Sequence, residues 1–147
     1  MAQVFTGRVV IPGDKLDEYF EAMKKAEEER QPFRDGLDAL NHAFAEHLAE
    51  KYSKRTANKH SSIIHMFIEF LCRHTDVQKL EDVTIGMANS HFQTWYRRKV
   101  WDSTTDNDRR VALQKFFFFI AMEKGIVNQK VMERLSGVSR PRAVAKR

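Results

Sequence analysis

The chain has 147 residues, 42% hydrophobic and 31% charged, with six Gly and three Pro; this suits one domain with a buried core and excludes a disordered, fibrous or turn-rich all-β chain. The longest unbroken apolar run, Phe116 to Met122, falls far short of the roughly 18 residues of a membrane span, and no signal-peptide pattern opens the sequence, so a cytoplasmic protein with no membrane partner is expected. The net charge of +5 divides unevenly: residues 1–52 carry seven Lys/Arg against eleven Asp/Glu, net −4, while residues 53–147 carry eighteen against nine, net +9, a basic surface that favours a polyanion, nucleic acid first.

In chain order, Val4, Phe5, Val9, Val10 and Ile11 form a short run closed by Pro12 and Gly13, a strand or a docked arm. Asp14 is a plausible N-cap for a first helix with Leu16, Tyr19, Phe20 and Met23 at helical spacing, followed by the charge-dense stretch Lys24 to Arg30. Pro32 should stop this helix and leave it as an appendage. A second helix carries Leu37, Leu40, Phe44 and Leu48 on one stripe, with Tyr52 near its end.

Ser53 is set to cap the next helix. At 100° per residue its inward stripe is Ala57, Ile64, Phe67, Ile68 and Leu71, and Arg55, Asn58, Lys59, Ser62 and His65 fall on the opposite side. That side is either a solvated polar face or a set of donors and cations for phosphates and base edges. Thr84 should cap a fourth helix, with Ile85, Ala88, Phe92, Trp95 and Tyr96 inward and Arg97, Arg98 and Lys99 at its negative end, where the helix dipole alone favours cations.

The fifth helix, from about Ser103 to Lys124 with Asp102 or Ser103 as cap, changes character along its length. Phe116 to Phe119 step round all sides, so this half is expected to be a buried central helix. Thr104, Thr105, Asn107, Arg109 and Arg110 make the other half polar on several sides, as in a helix end that projects toward a partner. Arg109 leans to the core side of the wheel, so its membership depends on that projection. Gly125 should end the helix, Asn128 should cap a short last helix with Val131, Met132 and Leu135, and the tail from Ser136 is basic and reads as a flexible linker.

No HExxH, GxSxG or Walker loop is present. The pairs His42/His47 and His60/His65 are five apart, not on one helical face, so no metal site and no cofactor are expected. Cys72 is the single cysteine and reads as a small buried apolar residue. Catalysis by this chain alone is not expected.

In order and spacing the sequence resembles the core-binding domain of tyrosine recombinases of the phage-integrase type, also called the SAM-like N-terminal domain. The resemblance covers roughly Leu37 to Leu135. It rests on Ser53-Lys54-Arg55-Thr56 followed by His60, Ile64, Phe67, Ile68 and Leu71; on Leu80 to Ile85; on Thr105 and Asn107 with Leu113, Phe116, Phe117 and Ile120; and on Gly125-Ile126-Val127-Asn128. Gln129 stands where the family usually has Pro, and His60 where it usually has Tyr. None of the six histidines is followed by Arg at the third position, so no catalytic residue transfers.

The resemblance implies an all-α, orthogonal bundle of four to five core helices with an additional N-terminal helix. The domain plan is an arm and acidic helix over 1–32, the core-binding DNA-binding domain over 33–136 and a basic interdomain linker or tail over 137–147. The implied partners are double-stranded DNA, the catalytic domain of the same recombinase, and recombinase protomers on DNA, in a cytoplasmic, nucleoid-associated setting. The chain would be a fragment of a larger recombinase or a stand-alone relative, acting in DNA integration or recombination. Candidate DNA-binding residues are Arg55, Thr56, Asn58, Lys59 and Ser62 on one helix and Thr104, Thr105, Asn107, Arg109 and Arg110 on another, with Asn58 and Asn107 suited to base edges. A helical protein-interaction domain, using Phe118, Phe119 and Met122 as its interface, is the competing reading. The acidic first helix would cover the core, contact a neighbouring protomer or compete with DNA.

Overall fold

The computed structural model describes residues 12–136. The expected strand or arm before Pro12 and the linker after Ser136 lie outside the described residues. The described residues form five α-helices: α1 (Leu16–Lys51), α2 (Lys54–His74), α3 (Phe92–Lys99), α4 (Asp106–Lys124) and α5 (Gln129–Ser136). Among the described residues there is no strand, and no helix is long and apolar enough to cross a membrane.

Tyr52 leaves the helical region at φ −131° and ψ 168°, and Ser53 Oγ accepts from Thr56 N at 3.2 Å, so the chain turns back within two residues into an α1–α2 hairpin. Its pairing is antiparallel: Asn41 bonds Ser61, Arg34 bonds Glu69, and Arg30 reaches the carbonyls of Leu71 (3.0 Å) and Val77. The stripe on α2 is buried as its periodicity predicts, with Ala57, Ile64, Phe67, Ile68 and Leu71 in the core. Cys72 is buried as expected, and desolvation raises its thiol pKa.

Pro32 does not end a helix; it lies inside α1, which runs unbroken for 36 residues. A proline there removes one backbone bond and costs about 3 kcal/mol. The contacts that offset it sit on both sides: Arg30 holds the carbonyls at the end of α2, while Phe33 and Leu37 pack on the core. The boundary expected between residues 32 and 33 therefore falls within one helix. Burial nevertheless changes along α1, since its buried residues are Leu37, Phe44 and Leu48, all beyond Pro32.

Thr84 Oγ1 caps the next segment by accepting from Met87 N at 3.1 Å. A π-helical turn, Met87–His91, then precedes α3. The wider turn adds a residue and rotates what comes before it, so Met87 and Ala88 face the core and Ile85, expected inward, is exposed. Helix α4 packs across α2, α1 and α5. Phe116 meets Phe44 edge to face at 5.3 Å, and Phe67 meets Phe92 and Phe117 at 5.1 and 6.0 Å, which forms a continuous aromatic core.

The four-phenylalanine run is not buried on every side. Phe116 and Phe117 are fully enclosed and Phe119 lies against Phe44 and His47, but Phe118 is 58% exposed, with Met122 beside it at 68%. Gly125 ends α4 in the left-handed region at φ 71°. Asn128 caps α5 through Val131 N, and its amide donates to the carbonyls of Leu80 and Val83, both at 2.9 Å, which ties the loop before the π turn to the last helix.

Candidate nucleic-acid interface

Two cross-helix ion pairs define this end of the molecule. Lys59 Nζ on α2 lies 3.1 Å from Asp108 on α4, and Arg97 at the end of α3 grips Asp106 at the start of α4. The polar side of α2, the end of α3 and the first turn of α4 thus share one surface.

The start of α4 is fixed by Thr105, not by Asp102 or Ser103. Thr105 Oγ1 accepts from Asp108 N, and the Asp108 carboxylate accepts from Thr105 N, both at 3.0 Å, a reciprocal cap. The Thr105 backbone bond, then Lys59, hold the Asp108 carboxyl below its usual pKa. Hydrogen bonds from Arg97 and then Arg109 do the same for Asp106 against partial burial. Both acids thus stay ionised at neutral pH, and Lys59, Arg97 and Arg109 offset their charge.

The candidate residues divide by availability. Arg55, Asn58 and Ser62 are exposed at one edge of α2, and their side chains have no partner among the described residues. Lys59 remains 41% exposed in its pair with Asp108. Thr56 bonds the Ser53 cap, and Thr104 donates to Asp102. Asn107 is exposed and accepts from Arg110, whose other nitrogen donates to Leu135 O at 2.7 Å.

Arg109 is a correction. Its side chain is 3% exposed: Nε donates to Gln93, Nη1 to Thr104 O and Oγ1 at 3.1 Å each, and Nη2 to Asp106, while the guanidinium lies 4.5 Å from the Tyr96 ring centroid. The first turn of α4 does not project clear of the bundle, so Arg109 is an internal brace and presents nothing to a ligand.

Two open clefts flank the same region. One, about 450 Å³, has a mixed lining, with Ser62, His65 and Asp102 beside Met66, Tyr96 and Val100. The second, about 440 Å³, brings Ser90, Thr94 and Arg97 together with Asn107 and Arg110. Its α3 side was readable as a polar stripe at positions 90, 94 and 97, and was missed because Arg97 to Lys99 were explained by the helix dipole alone. Trp101, in the loop between α3 and α4, is 96% exposed and was also missed.

His60 is buried beneath this face, at 6% exposure, and Lys115 Nζ lies 3.3 Å from its Nδ1 while also sitting 3.8 Å above the Tyr52 ring centroid. Nδ1 is then an acceptor and the imidazole is neutral. Burial first, then the charges of Lys115 and Lys59, push its pKa below the usual value of about 6.5. A depressed folded-state pKa means that the unfolded chain takes the proton first, so stability is full above about pH 6.5 and declines below it. Asp106, Asp108, Asp102 and Glu69 are also depressed and add a second decline below about pH 4. Urea midpoints across pH should show both steps in the native protein and only the lower one in His60→Gln.

No family model matches the chain, nor does any curated protein or any solved structure.

Proposed function

We propose that this chain is a DNA-binding domain that clasps duplex DNA in the manner of the core-binding domain of a tyrosine recombinase, with an orthogonal SAM-like helical arrangement. The observation that carries the reading is the gathering of Arg55, Asn58, Lys59 and Ser62 from α2 with Arg97, Asn107 and Arg110 from α3 and α4 at one end of the half of the chain that bears the +9 charge. Arg55, Lys59, Arg98 and Arg110 supply phosphate contacts, and Asn58 and Asn107 supply amides for base edges. Strand cleavage in this reading belongs to a separate catalytic domain, and a second protomer on DNA completes the assembly.

The test is fluorescence anisotropy of a labelled duplex of about 30 base pairs titrated at several salt concentrations. Four phosphate contacts imply a log–log slope near −3.6, or about a 100-fold loss of affinity between roughly 50 and 200 mM salt. Arg55→Ala should reduce the slope by about one, and Lys25→Ala, on the acidic half of α1, should leave it unchanged. Absence of duplex binding at low salt refutes the reading.

The exposed pair Phe118 and Met122 favours a second reading, a helical protein-interaction domain whose basic charge is incidental. It predicts weak DNA binding that does not respond to Arg55→Ala.

A further inference from the structure

Trp101 is the most exposed large apolar side chain in the described structure, whereas the other tryptophan, Trp95, packs against Phe70 and Phe92. Its exposure is not that of a loose loop. Val100 on one side packs against the core and donates its N–H to Tyr96 O at 2.9 Å. Asp102 on the other side accepts from Tyr96 Oη at 2.7 Å and from Thr104 N and Oγ1 at 3.0 and 2.7 Å. Burial lifts the Asp102 carboxyl, but the bonds from Tyr96 and Thr104 outweigh it and keep its pKa below the usual range, so these bonds hold at neutral pH. Both neighbours are anchored and the indole between them is held out in water, at the expense of the hydrophobic stabilisation that so large a side chain could provide.

The surroundings indicate what the indole meets. Arg98 and Lys99, just before it, are exposed with no side-chain partner among the described residues. Ser103 and Thr104 follow, and the loop borders one cleft of mixed lining through Val100 and Asp102 and leads into the second, more polar one at Asp106 and Asn107. No other exposed apolar residue lies between Arg97 and Arg110. An exposed aromatic plane with the free cations of Arg98 and Lys99 just before it and the hydroxyls of Ser103 and Thr104 just after it suits a nucleobase beside its phosphates better than an apolar protein pocket.

We infer that Trp101 is a stacking platform for an unpaired or unstacked base at a gap or distortion within duplex DNA. The inference rests on the DNA-binding reading above and deepens it. Inside an intact duplex both faces of each base pair are covered by their neighbours, so an indole can stack only where a base is already uncovered or where unstacking has been driven. The domain therefore distinguishes interrupted from continuous duplex, and Trp101 makes that distinction.

The experiment uses Trp95→Phe, which keeps the packed ring and leaves Trp101 as the only indole. This protein is titrated with an end-labelled intact duplex and with the same duplex carrying a short central single-stranded gap; DNA anisotropy and indole emission are read in the same samples. The expected result is strong quenching of the indole on gapped DNA and binding to it about tenfold tighter than to intact duplex, within the range of one stacked base. Trp101→Ala in the native background should abolish that preference and leave intact-duplex affinity and its salt slope unchanged. If anisotropy rises equally with both DNAs, indole emission is unaltered and Trp101→Ala binds as the native chain does, the stacking role is overturned while DNA binding stands. If neither DNA binds at low salt, both readings fall. Should Trp95→Phe not fold by circular dichroism, the difference in emission between the native chain and Trp101→Phe gives the same readout.

Discussion

Substituting Arg109 by alanine should lower the unfolding free energy by about 3 kcal/mol, between the value of a surface ion pair and that of a fully buried one broken from one side. The guanidinium is enclosed, but its acidic partner Asp106 is 52% exposed and also held by Arg97, so solvent and the second cation absorb part of the loss. The larger share comes from what is left behind: Gln93, itself buried, loses the donor to its Oε1, Thr104 loses the donor to its carbonyl, and the Tyr96 ring loses its cationic cover. Arg109→Lys retains the charge but not the planar fork that serves four acceptors on three residues at once, and should recover less than half. Urea unfolding with an unchanged m-value measures both variants. The DNA titration gives an independent check, because a brace makes no phosphate contact. The salt slope of folded Arg109→Lys should equal that of the native chain, whereas a reduction of about one would return Arg109 to the interface.

Local features of this fold were legible in the sequence, and long-range choices were not. The Ser53 and Thr84 caps, the Gly125 stop and the α2 stripe each depend on residues within one or two turns, and all are present. Pro32 misled because its penalty is local, whereas the contacts that overcome it run from Arg30 to carbonyls more than forty residues away. The π turn at Met87–His91 is invisible to a wheel drawn at 3.6 residues per turn, which is why Ile85, expected inward, is exposed. At the candidate interface the sequence supplied the polar residues but not their availability. Whether a cation faces solvent or an acid depends on neighbours from other helices, as with Lys59 and Asp108 or Arg97 and Asp106. Trp101 was overlooked because a lone aromatic between helices has no periodicity to set its direction.

The consecutive phenylalanines of α4 provide the other large effect, and two of them should respond in opposite ways. Phe116→Ala should cost about 3–5 kcal/mol, since the ring is fully enclosed between Phe44 and Phe117 and the rigid helices around it cannot collapse into the void. Against the roughly 5–15 kcal/mol available to a domain, that is enough to populate unfolded chains at physiological temperature. Phe118→Ala, two residues away, should change stability by no more than about 0.5 kcal/mol, because the side chain already spends most of its surface in water. The contrast follows from the position of α4: it packs on α1, α2 and α5, while the side that carries Phe118 and Met122 is left exposed by the described residues. Thermal or urea unfolding of the two variants decides it. A Phe118→Ala loss comparable with that of Phe116→Ala would mean that this side is covered in solution, by self-association if the loss grows with protein concentration. A near-neutral result would leave Phe118 and Met122 as an exposed apolar pair on an otherwise closed core.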